Sequence, residues 1–196
     1  MASRALNLPN ILTYGRIIAV PLVVLCFFVD GKLQSSDFAR WSALGIFVIA
    51  SVTDYFDGYL ARAWQQQSNI GRMLDPIADK LLVSTCLLLL AADTDRTIAG
   101  WSLWAAIIIL CREILVSGLR EYLAELKVSV PVTRLAKWKT TIQMVAIAVL
   151  LAGPALDKMI SYATETGIAL LWVSALVTLY TGYDYFRAGL KHIMEE

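Results

Sequence analysis

One histidine and three cysteines are all the chain offers a soft metal, and Cys26, Cys86 and Cys111 lie scattered through apolar runs with no Cys-x-x-Cys spacing. They read as small buried hydrophobes, which leaves any metal chemistry to carboxylates. An excess of charge of one sign is also missing. A net charge of +1 and a pI near 7.7 give no whole-chain argument for a nucleic-acid partner. There is no internal repeat, low-complexity tract or long linker, so a single domain over residues 1–196 is expected. The first apolar run carries Gly15, Arg16 and Pro21 and is followed by Asp30-Gly31-Lys32 without a small-residue cleavage site, so it is expected to be retained rather than removed as a leader.

What the chain has in abundance is apolar length. Of its 196 residues 58% are hydrophobic, and the mean hydropathy is +0.64. A membrane-spanning helix needs roughly 20 mostly apolar residues. Six candidates follow, over residues 11–29, 41–60, 73–92, 98–119, a fifth that starts near 134 and turns apolar from 142 to 151, and 163–183. The expected fold is therefore all-α, an integral membrane bundle of six transmembrane helices. A short interfacial segment over residues 5–10 precedes it, with Leu6 and Leu8 at the boundary. Pro131 suits the first turn of the fifth helix, and Gly153-Pro154 reads as the break between the fifth and sixth. Trp41, Trp101, Trp138 and Trp172 read as interface anchors. Of the 17 lysines and arginines, only Lys32, Arg40, Arg96 and Lys158 fall on the side of the loops after helices one, three and five. The basic majority marks the cytoplasmic side, which puts both termini there, in a multi-pass protein of the cytoplasmic (inner) membrane.

The most informative stretch covers residues 54–79 and joins the second span to the third. Asp54 and Asp57 share a helix face that Gly58 and Ala61 continue with almost no side-chain bulk. Gly71, Asp75 and Asp79 recur every four residues on the next helix, with Ala78 beside them. Four carboxylates gathered at the edge of a bilayer repel one another, and such groups pair, line a wet cavity or do chemistry. Pairing with Arg62, Arg72 or Lys80 is the plain structural alternative, but it does not call for the glycine spacing. A divalent cation removes the repulsion, and all-oxygen ligation favours Mg2+ or Mn2+ over zinc.

The pattern Asp-x2-Asp-Gly-x2-Ala-Arg-x8-Gly-x3-Asp-x3-Asp is met at Asp54, Asp57, Gly58, Ala61, Arg62, Gly71, Asp75 and Asp79. It resembles the signature of the CDP-alcohol phosphotransferases. The resemblance implies six transmembrane helices, a homodimer, and transfer from a CDP-activated donor to an alcohol with release of CMP. It further implies two Mg2+ or Mn2+ ions, with Asp54, Asp57 and Asp75 as core ligands and Asp79 beside the second metal. Asp79 is then also the catalytic base for the acceptor hydroxyl. Asp57, Gly58, Ala61, Arg62 and Gly71 would bind the CDP donor: the small residues leave room for the nucleotide, and Arg62 pairs with its phosphate.

Three further segments, NLPNILTYGRI, CREILVSGLREYLA and LAKWKTTIQ, are similar to the branch of the family that takes CDP-diacylglycerol and glycerol 3-phosphate, giving phosphatidylglycerophosphate. An acceptor that carries a phosphate needs a cationic pocket, for which Arg112, Arg120, Lys137 and Lys139 are the candidates, with Arg16 a further one. Eight residues apart, Arg112 and Arg120 lie within roughly 80° of each other around a helix. Insertion topology alone also collects basic residues on this side, which is the competing reading for each. Sister enzymes that use serine or inositol phosphate are the alternative functions. A non-enzymatic divalent-cation transporter is another, but it would spread its charges through the membrane thickness instead of gathering them at one side.

Overall fold

A computed structural model describes residues 8–29, 32–33, 36–63, 69–126 and 134–194. Six helices make up nearly all of it: α1 (Leu8–Phe27), α2 (Asp37–Ala63), α3 (Asn69–Ala92), α4 (Trp101–Glu125), α5 (Arg134–Asp157) and α6 (Ala163–Met194). Among the described residues the one extended element is a two-residue antiparallel pair between α1 and α2, β1 (Phe28–Val29) with β2 (Lys32–Leu33). The all-helical class expected from the sequence is therefore found. Among the described residues four stretches are long and apolar enough to cross a bilayer, Asn10–Phe27, Trp101–Glu125, Trp138–Asp157 and Ala163–Arg187, so this is a membrane protein. α2 and α3 fall short of that measure because they carry the charged residues of the 54–79 stretch. Of the interfacial segment expected at residues 5–10, residues 5–7 lie outside the described residues, and 8–10 form the first turn of α1.

The helices overrun the apolar runs that announce them. α2 begins at Asp37, where the Ser36 hydroxyl oxygen accepts the Ala39 N–H at 3.2 Å, a side-chain cap for an otherwise orphaned donor. α6 continues to Met194, beyond the expected end near residue 183. Hydropathy marks only the length that fits the hydrocarbon, whereas backbone hydrogen bonding continues until a residue stops it. The Gly153-Pro154 pair does interrupt the helical backbone, as expected, but the helical stretch after it, residues 154–157, still precedes α6, which begins at Ala163. The pair kinks α5, with Gly153 at φ 38°, and Pro154 restarts the helix at a position where its missing N–H costs nothing. The true connection follows Asp157, whose carboxylate accepts the Thr164 N–H at 2.9 Å and the Thr164 hydroxyl at 2.6 Å.

The described residues form two compact units, Met1–Thr97 with Ile147–Thr164, and Ile98–Ala146 with Glu165–Glu196. In the first, α1 packs on α2 and α3. Its buried stripe runs Ala19, Val23, Phe27, against Ala43, Phe47 and Ala50 of α2 and Ala78, Leu82, Cys86 and Leu90 of α3. A fully buried arginine closes one end of this unit. Arg40 donates from Nη2 to Asp93 at 2.5 Å, to Asp95 at 2.9 Å and to Thr97 at 3.0 Å, and from Nη1 to the Leu151 carbonyl at 3.3 Å. Asp93 in turn accepts the Thr97 N–H and hydroxyl. A Cβ on Gly153 would come within 3.0 Å of Arg40 Nη1, so glycine serves here both for its positive φ and for the close approach.

In the second unit α4 and α6 pack closely, because Gly182 lies against the Arg112 side chain and Gly189 against Leu119 and Leu123. Small residues at a helix contact let backbones approach where lipid supplies no hydrophobic drive. Ile18, Leu25, Ile49, Ile114, Leu115 and Leu176 are all more than half exposed; in a bilayer, these surfaces face acyl chains.

Candidate active site

The buried face of α1 changes character along its length. Asn10, Thr13 and Arg16 are all buried and spaced by three residues, and the same stripe then continues as Ala19, Val23 and Phe27. Its polar half meets the carboxylates of the two neighbouring helices. Arg16 Nη1 lies 2.5 Å from Asp54 Oδ1 on α2. Thr13 donates its hydroxyl to Asp75 Oδ1 on α3, also at 2.5 Å. Asp54 lies in the electrostatic field of both Arg16 and Asp75. The structure thus brings Asp54 and Asp75 to one place, with α1 as the element that bridges them. Asp79 stands one turn beyond Asp75 on α3, half-buried and partnered, and Gly71 stands one turn before it, buried. Asp57, Gly58, Ala61 and Arg62 belong to the last turns of α2, and their side chains lie outside the described residues.

The second unit holds the cationic candidates. Arg112 of α4 donates from Nε to the Thr178 carbonyl and from Nη2 to the Thr181 hydroxyl of α6, each at 3.2 Å. Lys139 of α5 is buried and donates to Glu113 Oε1, which stands 3.9 Å from Arg112 Nη1. Glu113 therefore links two of the four cations. Arg120, exposed on the same helix, sits over the Tyr185 ring with 5.7 Å to the centroid. The Lys137 side chain lies outside the described residues. Arg112 is the one charged group lining an apolar groove of about 420 Å3 between α4 and α6.

The CDP-alcohol phosphatidyltransferase family model matches residues 6–180. The chain belongs to that family. Enzymes of this family generally depend on a divalent metal. Curated relatives align with this family member almost end to end. It is 45% identical to the CDP-diacylglycerol–glycerol-3-phosphate 3-phosphatidyltransferase of Rickettsia bellii, over 95% of this chain and 97% of the relative. The enzyme of the same name from Cereibacter sphaeroides is 40% identical over 97% of this chain and 98% of its own. That of Escherichia coli K12 is 41% identical over the same shares.

The donor set of this CDP-alcohol phosphatidyltransferase suits a hard divalent ion: carboxylate oxygens from two helices with no thiol or imidazole among them. Among the described residues no three acidic, histidine or cysteine side chains form a group that could hold a metal ion; the Asp57 carboxylate is not part of that set. Sequence reasoning missed Thr13, Glu113 and Thr181. The three-residue spacing of Asn10, Thr13 and Arg16 inside an apolar run was the signal for the first. For Glu113 and Thr181 no local signal exists, because each is defined by a partner on another helix.

Proposed function

We propose that the chain transfers the phosphatidyl group of CDP-diacylglycerol to glycerol 3-phosphate, giving phosphatidylglycerophosphate and CMP. The observation that carries this reading is the joining of Asp54 and Asp75 through Arg16 and Thr13. It joins two helices that bear the family's acidic pattern, in a chain that aligns over nearly its whole length with enzymes named for this reaction.

The acceptor hydroxyl oxygen attacks the phosphatidyl phosphorus, a new P–O bond forms, and the P–O bond to CMP breaks. Asp79 takes the hydroxyl proton as general base. Asp54, Asp57, Asp75 and Asp79 hold two divalent cations, Mg2+ or Mn2+. Once bound, these supply charge neutralisation on the pyrophosphate oxygens. Gly58, Ala61 and Gly71 would leave the nucleotide room, and Asp57 and Arg62 would bind the donor, Arg62 by pairing with its phosphate. Arg112, Arg120, Lys137 and Lys139 hold the phosphate of the acceptor.

In this reading α2 and α3 also cross the bilayer, giving six spans and one membrane domain. Both termini and the acidic cluster face the cytoplasm across the inner membrane, and the enzyme works as a homodimer. The lopsided distribution of lysine and arginine supports that orientation.

The test is CMP release by the purified protein with CDP-diacylglycerol and Mg2+ or Mn2+. Release that requires glycerol 3-phosphate is the expected result. Release with serine or inositol phosphate, and none with glycerol 3-phosphate, would assign the chain to a sister reaction.

A further inference from the structure

Building on the reading of Arg112 as a ligand of the acceptor phosphate, we propose that Thr181 and Gly182 of α6 are positioning residues, which fix the Arg112 guanidinium with its Nη1 end left for the anion.

The hydrogen bonds around Arg112 sort its donors. Nε is spent on the Thr178 carbonyl and Nη2 on the Thr181 hydroxyl oxygen. Among the described residues Nη1 makes no hydrogen bond: its nearest carboxylate oxygen, Glu113 Oε1, is 3.9 Å away and already takes the Lys139 ammonium. The guanidinium is therefore tied down along one edge and open at the opposite tip. A fork held in this way has already given up the rotamer freedom that anion binding would otherwise cost.

Thr181 is suited to its part. A hydroxyl has one hydrogen to give and lone pairs to receive. Thr181 back-bonds to the Val177 carbonyl at 2.9 Å, which commits that hydrogen and turns the remaining oxygen density towards Nη2. Serine can make the same pair of bonds, and isosteric valine can make neither. Gly182 supplies the space. A Cβ there would meet Arg112 Cγ at 3.1 Å and Nε at 3.4 Å, so the arginine stem lies flat on the helix backbone only because nothing projects from it. The apolar lining of the surrounding groove raises what the geometry is worth, since a charge-assisted bond strengthens away from water.

The experiment is steady-state kinetics on the full-length enzyme in detergent, varying glycerol 3-phosphate and CDP-diacylglycerol separately. Thr181→Val is expected to raise the KM for glycerol 3-phosphate about tenfold, leaving the KM for CDP-diacylglycerol and kcat within about twofold. Thr181→Ser is expected to retain the unaltered values. Gly182→Ala, which favours the helix, is expected to raise the same KM severalfold by displacing the stem.

Arg112→Ala separates the two ideas. If it raises the glycerol 3-phosphate KM while Thr181→Val does not, the positioning role is wrong and the ligand role stands. If Arg112→Ala leaves that KM unchanged, both fall. Parallel losses in both KM values and kcat for Thr181→Val would mark a merely structural residue and overturn the inference.

Discussion

Arg16, buried in α1, holds its Nη1 2.5 Å from Asp54 Oδ1, and Asp54 in turn lies within the field of Asp75 on α3. One buried cation thus offsets part of the negative charge that α2 and α3 bring together. Removing it should leave the acids dependent on an added cation. Arg16→Ala is expected to lose about 2 kcal/mol in EDTA, a fall of roughly 4–8 °C in Tm, and to recover most of it in Mg2+. Equal metal-induced shifts in the variant and the unaltered protein would show that Arg16 does not balance these carboxylates.

The Thr13 hydroxyl engages Asp75 Oδ1, and in the proposed reading Oδ2 of the same carboxylate is the one that takes the cation. Partners of this kind orient a ligand, and losing one costs about tenfold or more in metal affinity. Thr13→Val should weaken Mn2+ binding by that amount in a direct titration of the purified protein, while Thr13→Ser should not. Equal Mn2+ isotherms for the two variants would remove Thr13 from the site.

Asp79 is the proposed base. Asp79→Asn keeps the shape and loses the proton acceptor, so CDP binding is expected to persist while turnover falls about 10²–10⁴-fold. Turnover within tenfold of the unaltered enzyme would send the search for the base elsewhere.

Lys139 and Glu113 are paired, and Glu113 also stands near Arg112. Lys139→Ala should raise the glycerol 3-phosphate KM, partly because Glu113 is then free to compete with the phosphate for Arg112. The double variant Lys139→Ala, Glu113→Gln should recover some of that loss. Lys137→Ala is expected to raise the same KM with kcat little changed. If the double variant binds no better than the single, the competition argument is wrong.

Arg40 and Asp93 are both fully buried, and breaking such a pair from one side typically costs about 3–5 kcal/mol. Asp93→Ala is expected to inactivate thermally well below the unaltered enzyme. The surviving fraction should show unchanged KM values for both substrates. A shifted KM would implicate this cluster in catalysis.

The helices were legible from apolar runs and the acidic pattern from its spacing, because both are written locally. The ends of α2 and α6 were not, since hydropathy ignores the polar turns that backbone bonding carries on. Gly153-Pro154 was legible as a break, but the close approach of Arg40, a residue 113 positions earlier, to Gly153 was not. Thr13 shares a three-residue spacing with Asn10 and Arg16 that marks a polar face, but its partner Asp75 on α3 is not written in that segment. Arg112 and Lys139 were legible as cations, but their tethers to Thr181 and Glu113 were not, because a hydrogen bond between helices leaves no mark on either segment alone.

The Arg40 cluster has a consequence for biogenesis. The guanidinium reaches the ribosome exit 53 residues before Asp93 and 111 before the Leu151 carbonyl. At about 5–20 residues per second of synthesis, the nascent chain carries this cation for roughly 3–10 s before Asp93, its buried partner, is made. Whatever shelters that segment during translation, water at the translocon or lipid phosphate, must give way when Asp93 emerges.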